Sequence, residues 1–117
     1  MSAQLAKKKL SDFVKSEDAS LLKVPVKLFH PYRILILKIL YLHSNADFRQ
    51  LKHDLQITDG NLASHLRALE NEGYIKVYKE IVGRKVRTTY ELTKKGLIAF
   101  EQFRSCIGKV IKSGFES

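Results

Sequence analysis

The densest apolar stretch of the chain begins at Pro31 and runs to His43, with apolar residues nearly all the way round a helical projection. Its length is typical of a helix and long for a strand. Proline suits the first position because it has no N–H to lose there and already holds a helical φ. We therefore predict a central helix that contacts both the core and a partner molecule.

Two shorter segments with helical spacing follow. Their apolar positions are Phe48, Leu51 and Leu55 in the first, and Leu62, Leu66 and Leu69 in the second. Such spacings of three and four are typical of amphipathic helices. We predict a turn at 45–47, an end of the first helix near Gln56, and a cap on the second from either Thr58 or Asp59. Two short helices joined by a tight turn form a helix-turn-helix motif.

The apolar period changes to two after Gly73, which can close the second helix in a left-handed conformation. In the alternation that follows, one side carries Ile75 and Val77, and the other carries Tyr74, Lys76 and Tyr78. This pattern predicts a strand whose Ile75 and Val77 side is buried. Gly83 interrupts the run, and residues 87–92 are predicted to form the second strand of a hairpin with a basic tip at Arg84 and Lys85.

The last part of the chain returns to helical spacing, and Thr93 offers its hydroxyl as an N-cap for a final helix. The apolar positions of this helix are Leu97, Phe100, Phe103, Ile107, Val110 and Ile111. A small domain can hardly cover so much apolar surface alone, so we expect a two-fold partner to cover the excess. The alternative is that the N-terminal segment folds back over this helix within one chain.

Pro25 and Pro31 separate an N-terminal lead from the main domain. We expect residues 1–29 to be partly helical, and residues 30–117 to form a DNA-binding domain that ends in a dimerisation helix. The order of helix, helix-turn-helix, hairpin and closing helix is that of a winged helix-turn-helix domain. The predicted fold class is mainly α (α+β), with a two- to three-stranded antiparallel wing and a long C-terminal helix.

The charge balance points to a class of partner. The chain has 117 residues, which fits one domain, and its 21 Lys and Arg against 12 Asp and Glu give a net charge of +9. This is the electrostatic footprint of a nucleic-acid binder, although ribosome-associated proteins and binders of anionic membranes share it. Between Lys76 and Lys95, seven basic residues against two acidic ones place +5 on the predicted hairpin and its flanks.

Other function classes find little support. Cys106 is the only cysteine, which excludes an intramolecular disulfide and multi-cysteine metal sites. His30, His43 and His53 fall on separate predicted elements, so we expect no metal and no cofactor. We expect no enzyme, because the sequence has no Gly-rich phosphate loop and no nucleophile and base at a recognisable spacing. Without a signal-peptide pattern or an apolar run long enough to span a membrane, the protein is expected to be cytoplasmic.

The second helix of the helix-turn-helix is predicted to have two distinct faces. If Leu62, Leu66 and Leu69 point into the core, helical rotation places Gly60, Ser64, Arg67 and Asn71 on the opposite face, with Asn61 and Ala68 beside it. The major groove of DNA admits a helix, and Asn, Ser, His and Arg can bond base edges or phosphates there. Gly60 would let the helix N-terminus approach a phosphate closely.

Two stretches of the sequence resemble a known family: ITDGNLASHLRALENEGYI, and after it VGRKVRTTYELTKKG. They are similar to winged-helix regulators related to the MarR and ArsR families, most closely to their compact single-domain subgroup. The resemblance covers most of the chain, from His30 to Phe103. It implies that Asn61, Ser64 and His65 contact DNA, and that either Arg84 or Arg87 is the wing-tip arginine. The clustered cysteines or paired His and Asp of metal-sensing ArsR relatives have no counterpart in this sequence.

These observations predict a sequence-specific transcriptional regulator that binds double-stranded DNA as a homodimer and acts by default as a repressor. The residues expected to contact DNA are Thr58, Gly60, Asn61, Ser64, His65, Arg67, Arg84, Lys85 and Arg87. His65 is equally compatible with a packing role beside the leucines. The alternatives are a winged-helix protein-interaction module, against which the basic hairpin argues, and a general chromatin- or RNA-binding protein.

Overall fold

A computed structural model describes residues 24–115 of the chain. Its helices are α1 (Pro31–His43), α2 (Phe48–Leu55), α3 (Asp59–Asn71) and α4 (Lys94–Phe115), and its strands are β1 (Asn45–Asp47), β2 (Ile75–Val82) and β3 (Lys85–Leu92). This mostly helical architecture, with an antiparallel sheet and a long last helix, is the predicted winged helix. Of the N-terminal lead, the structure describes residues 24–29, which include a 3-10 helix at Val26–Leu28. The rest of the helical prediction for the lead lies outside the described residues.

The first two helices begin at side-chain caps. In front of α1, the backbone N–H of Tyr32 donates to Nδ1 of His30 at 3.2 Å. At the start of α2, the N–H of Gln50 donates to the Asp47 carboxylate at 2.8 Å, and the N–H of Asp47 donates to the Gln50 side chain at 2.9 Å. This reciprocal capping box satisfies two backbone groups that the helix leaves without partners.

Threonine hydroxyls cap the two later helices. The N–H of Asn61 donates to the hydroxyl of Thr58 at 3.3 Å, which decides between the two caps that the sequence allows for α3. Thr93 caps α4 as predicted, since its hydroxyl accepts from the N–H of Gly96 at 3.0 Å. Gly73 follows α3 with a φ of +80°, the left-handed conformation predicted for it.

The core lies where α1, α2 and α3 meet the base of the sheet. Its fully buried side chains are Leu28, Ile36, Leu37, Leu40, Leu51, Leu62, Leu69 and Ile75. Val24 and Leu28, from the segment before α1, belong to the same cluster. On α1, Leu35 and Leu42 remain exposed on the side that the core does not cover.

The last helix packs mainly through its first half. Ala99 and Phe100 are buried, and the ring of Phe103 contacts the ring of Phe29 edge to face, with centroids 5.7 Å apart. Ile98 and Ile111 are exposed, so α4 leaves apolar surface uncovered. Within residues 24–115, no helix combines the length and the apolar character needed to cross a membrane.

The sheet has the strand order β1-β3-β2, and both pairings are antiparallel. The turn predicted at 45–47 is therefore wrong, because these residues form β1, in which Asn45 lies opposite Glu91 and Asp47 opposite Thr89. A three-residue strand is too short to show an alternating pattern. Its extended conformation depends on hydrogen bonds to a strand that lies far away in the sequence.

The hairpin between β2 and β3 turns on a two-residue loop, with Val82 opposite Lys85. Gly83 takes the first loop position with a φ of +65°, as a type II′ turn requires. This tight loop lets β3 begin at Lys85, two residues earlier than predicted.

The predicted facing of β2 is partly wrong. Ile75 is buried as expected, but Val77 is 37% exposed, and Tyr74, predicted on the open face, is only 3% exposed. Tyr74 precedes the strand and closes α3, because its N–H donates to the carbonyl of Leu69 at 3.0 Å. After Ile75, every residue of β2 is exposed or only half-buried, so alternation along this strand no longer separates buried from exposed residues.

Candidate nucleic-acid interface

Helix α3 has the two faces that its sequence predicts. Leu62, Leu66 and Leu69 are between 0% and 3% exposed and pack into the core. The residues on the other side are all exposed: Gly60, Asn61, Ser64, Arg67 and Asn71. The second helix of the helix-turn-helix therefore presents a polar surface made of hydrogen-bonding side chains.

The N-terminal turn of α3 is open to a ligand. An added Cβ at Gly60 would have no atom within 4 Å, so nothing in the protein shields the helix end at that position. Thr58 is exposed, but its hydroxyl already accepts the capping hydrogen bond from Asn61. Asp59 pairs with Lys52 of α2 at 2.8 Å, which ties the start of α3 to the preceding helix.

A groove of about 550 Å³ separates α2 from the start of α3. Its lining residues are Phe48, Arg49, Lys52, His53, Gln56, Ile57 and Asp59. Arg49, Lys52 and His53 are exposed along the polar face of α2, opposite the buried Leu51. This basic face is not among the predicted contacts, although the sequence carries its signal: three basic residues fall on the side of α2 away from its leucines.

A second groove, of about 390 Å³, lies between α2 and the wing. Its lining residues are Asp47, Phe48, Arg49, Val82, Lys85, Val86, Arg87 and Thr88. Because Arg49 lines both grooves, the start of α3, the face of α2 and the wing form one continuous surface. We call it the basic surface, and it consists of Arg49, Lys52, His53, Lys85 and Arg87 together with the wing tip.

Several cations of the hairpin region are engaged within the protein. Lys76 pairs with Glu91 at 2.8 Å, which holds the pKa of that carboxyl below its usual range, with help from the Tyr78 hydroxyl. Nε of Arg87 lies 3.4 Å from the Asp47 carboxylate. Lys95 donates to the carbonyl of Glu72 at 2.6 Å.

The outer half of the wing carries the uncompensated charge. In the described part of the chain, neither Arg84 nor Lys85 has an acidic side chain within salt-bridge distance, and both are exposed. Of the two arginines that the resemblance leaves open, Arg84 lies at the tip and Arg87 lies beside α2 in contact with Asp47. The positive field of the wing is therefore concentrated at its tip.

His65 occupies the flank of α3 and is half-buried. Its Nδ1 accepts a hydrogen bond from Nε of Arg33 at 3.1 Å, and its ring centroid lies 4.2 Å from that of His30. Burial, followed by the proximity of His30 and Arg33, lowers the pKa of His65. Sequence spacing gave no sign that residues from the start of α1 would meet the middle of α3. Within residues 24–115, no three His, Cys, Asp or Glu side chains come together to hold a metal ion.

Comparison with known proteins agrees with this geometry. Residues 32–111 match the family model described as a winged helix DNA-binding domain. An uncharacterized protein of Methanocaldococcus jannaschii is 37% identical over 79 residues, which cover 67% of this chain and 86% of that protein.

Solved structures show the same likeness. A transcriptional regulator homologue from Pyrococcus horikoshii OT3 superposes with a TM-score of 0.75 at 33% identity, over 85% of this chain and 97% of that one. A structure described as a regulator of the MarR family, from Enterococcus faecalis V583, has a TM-score of 0.67 at 14% identity and covers 94% of this chain and 93% of that one. At that identity the second likeness concerns the fold.

Proposed function

The chain belongs to the family of winged helix DNA-binding domains, and we propose that it is a sequence-specific transcriptional regulator that binds duplex DNA as a homodimer and represses. The observation that carries the proposal is the polar, exposed face of α3, which the basic surface joins to a wing with a positively charged tip. The solved Pyrococcus relative is itself described as a transcriptional regulator homologue.

In the proposed complex, α3 enters the major groove. Asn61, Ser64 and Arg67 then reach base edges or phosphates, and Gly60 brings the N–H groups of the first turn close to a backbone phosphate. Arg49 and Lys52 of α2 lie beside the same major groove and neutralise the flanking phosphates, as the first helix of a helix-turn-helix does when it crosses the backbone. His65 joins this set from the flank of α3.

The wing is proposed to contact DNA beside the α3 site. Arg84 and Lys85 reach a narrow minor groove or its phosphates, where the negative potential is concentrated. Arg87 contributes from the side of the wing nearer to α2. Contacts of this kind position the protein on any duplex, whereas the base contacts of α3 determine its sequence preference.

We propose that the exposed apolar residues of α1 and α4 form the dimer interface. Leu35 and Leu42 on α1, with Ile98 and Ile111 on α4, are exposed in the single chain, where they would be solvated at a cost. A two-fold dimer places the two α3 helices in major grooves about 34 Å apart, so the operator would be a pseudo-palindrome. Occupancy of such an operator within a promoter is the proposed means of repression.

The test is selection of bound sequences from a pool of random DNA duplexes, followed by titration of the selected duplex against random duplex and duplex RNA. The expected result is a single palindromic sequence that the protein binds more tightly than random DNA duplex and duplex RNA. Binding to no duplex at all would favour a protein-interaction module. Equal binding to selected DNA, random DNA and RNA would favour a general chromatin- or RNA-binding role.

A further inference from the structure

The imidazole of His65 on α3 is enclosed by three residues from the start of α1. The ring of His30 lies 4.2 Å away and the ring of Tyr32 lies 5.7 Å away, both tilted against it. Arg33 approaches from its Nδ1 side. Contacts on several sides fix the rotamer of a ring that would otherwise be free to turn on the surface of α3.

Arg33 is itself held at two points. Its Nε donates to Nδ1 of His65 at 3.1 Å, and its Nη1 donates to the backbone carbonyl of Lys27 at 2.8 Å. His30 is fixed as well, because its Nδ1 accepts from the backbone N–H of Tyr32. The group that faces His65 is therefore a preorganised donor and not a mobile surface arginine.

Elementary hydrogen-bond chemistry then selects one form of His65. A guanidinium has only N–H donors, so the nitrogen that faces Arg33 must be an acceptor. In a neutral imidazole, one nitrogen accepts and the other carries the proton. When Nδ1 accepts from Arg33, the proton lies on Nε2, and His65 becomes a donor at that atom.

The Nε2 atom reaches the protein surface. Among the described side chains, the only buried nitrogen or oxygen without a hydrogen-bond partner is Oγ1 of Thr89. The hydrogen bond of His65 is the one at Nδ1, so a buried Nε2 would also be left without a partner. Its N–H is therefore accessible on the flank of α3, one turn after Asn61 and next to Ser64.

We infer that Arg33 is a positioning residue, which holds His65 in the Nε2–H form so that α3 offers a fixed hydrogen-bond donor to an acceptor on duplex DNA. The acceptor is either a phosphate oxygen or the N7 or O6 of a purine edge. This inference rests on the proposed DNA-binding function and adds to it a residue outside the helix-turn-helix. It also assigns His65 a role in both contact and packing.

The first test is nitrogen-15 NMR of the imidazoles in the full chain above neutral pH, without DNA. Protonated and unprotonated ring nitrogens have well-separated shifts, so the spectrum reports the tautomer directly. The expected result is a proton on Nε2 of His65 in the wild type and a mixture of tautomers in Arg33→Met, with an otherwise native amide spectrum. A proton on Nδ1, or an unchanged tautomer in Arg33→Met, would overturn the inference.

The second test compares two replacements of His65 on the selected duplex. The amide nitrogen of Gln can take the place of Nε2, whereas that of Asn reaches only as far as Nδ1. His65→Asn is expected to weaken binding roughly 5- to 10-fold, as for one lost hydrogen bond, and His65→Gln to stay within about twofold of wild type. If His65→Asn loses affinity equally for all duplexes, the acceptor is a phosphate. If it loses affinity only for duplexes with one particular base pair at one position, the acceptor is a purine edge.

Equal losses in the Asn and Gln variants would overturn the donor role. A wild-type protein that binds no duplex would instead remove the proposed function and with it the DNA contact of His65. The tautomer measurement does not depend on DNA, so it still decides whether Arg33 sets the state of the ring.

Discussion

Gly96 in the first turn of α4 lies directly against the backbone carbonyl of Tyr74, at the point where α3 ends and the wing begins. A Cβ on Gly96 would overlap that carbonyl oxygen and would also come within 3.2 Å of Cδ2 of Leu92. The same carbonyl accepts a hydrogen bond from the N–H of Thr93 at 3.1 Å. The start of α4 is therefore in backbone-to-backbone contact with the junction between α3 and β2.

Gly96→Ala is expected to destabilise the fold, because the new methyl group forces α4 away from Tyr74. The expected loss is about 1–3 kcal/mol of the free energy of unfolding, as for an overpacked site, measured by urea denaturation. Gly108→Ala is the matched control, since an added Cβ there has nothing within 4 Å. In a helix interior that change should be neutral or stabilising by up to about 1 kcal/mol. Equal stability of the two variants would refute the contact.

Asn61→Ala and Ser64→Ala are expected to relax sequence preference without loss of stability, because both side chains are exposed on the face of α3 opposite the leucines. Each should lower affinity for the selected duplex by about 1–3 kcal/mol while leaving random duplex nearly unaffected. Gln102→Ala, an exposed substitution on α4, is the control. An equal loss on selected and random DNA would show that these residues do not read the sequence.

The double variant Arg84→Ala, Lys85→Ala is expected to weaken binding to every duplex. Loss of two phosphate contacts should reduce the slope of log affinity against log salt by up to about 2, because fewer counterions are released. The charge-matched control is Lys38→Ala with Lys109→Ala, which removes the same charge from exposed positions on α1 and α4. Because these helices carry the proposed dimer interface, sedimentation must show that the control is still as dimeric as the wild type. The wing has no role in binding if both double variants behave alike.

Leu42→Glu and Ile111→Glu are expected to shift the protein from dimer to monomer in sedimentation equilibrium, with the helical content unchanged. Both side chains are more than half exposed in the single chain, so a charge there should be tolerated by the fold. Ile81→Glu, at an 83% exposed apolar position on the wing, serves as the control and should stay dimeric. A wild type that sediments as a monomer would disprove the proposed assembly.

The stability of the fold is expected to depend on pH through His65. Burial and the neighbouring His30 and Arg33 lower its pKa in the folded chain, whereas the unfolded chain keeps the ordinary value of about 6.5. Below that value the unfolded chain binds more protons, so stability falls as the pH drops towards the folded pKa and is fully present above about 6.5. The effect is modest because the ring is half exposed.

Urea midpoints of the wild type and His65→Gln, compared across this range, isolate that contribution. The free energy of unfolding of the wild type, relative to that of His65→Gln, should fall as the pH drops. A difference that stays constant with pH would mean that His65 is not held neutral by its surroundings.

Much of the fold can be predicted from patterns among neighbouring residues. The spacing of apolar residues predicted α1, the helix-turn-helix and α4, and Thr93 and Gly73 marked helix ends where the structure has them. The leucines of α3 even predicted which side chains would be exposed. These features depend on rotation per residue and on hydrogen bonds within one turn, so the information lies within a few neighbouring positions.

The structural features that local sequence does not predict depend on contacts with distant parts of the chain. Residues 45–47 become a strand because β3 lies beside them, and Val77 is exposed because β2 leaves the core after Ile75. Arg33 and His65 are 32 positions apart, and the spacing of such residues carries no periodic signal. Packing alone brings such groups together, and it thereby decides which cations are neutralised, which tautomer a histidine adopts and which glycine can accept no side chain.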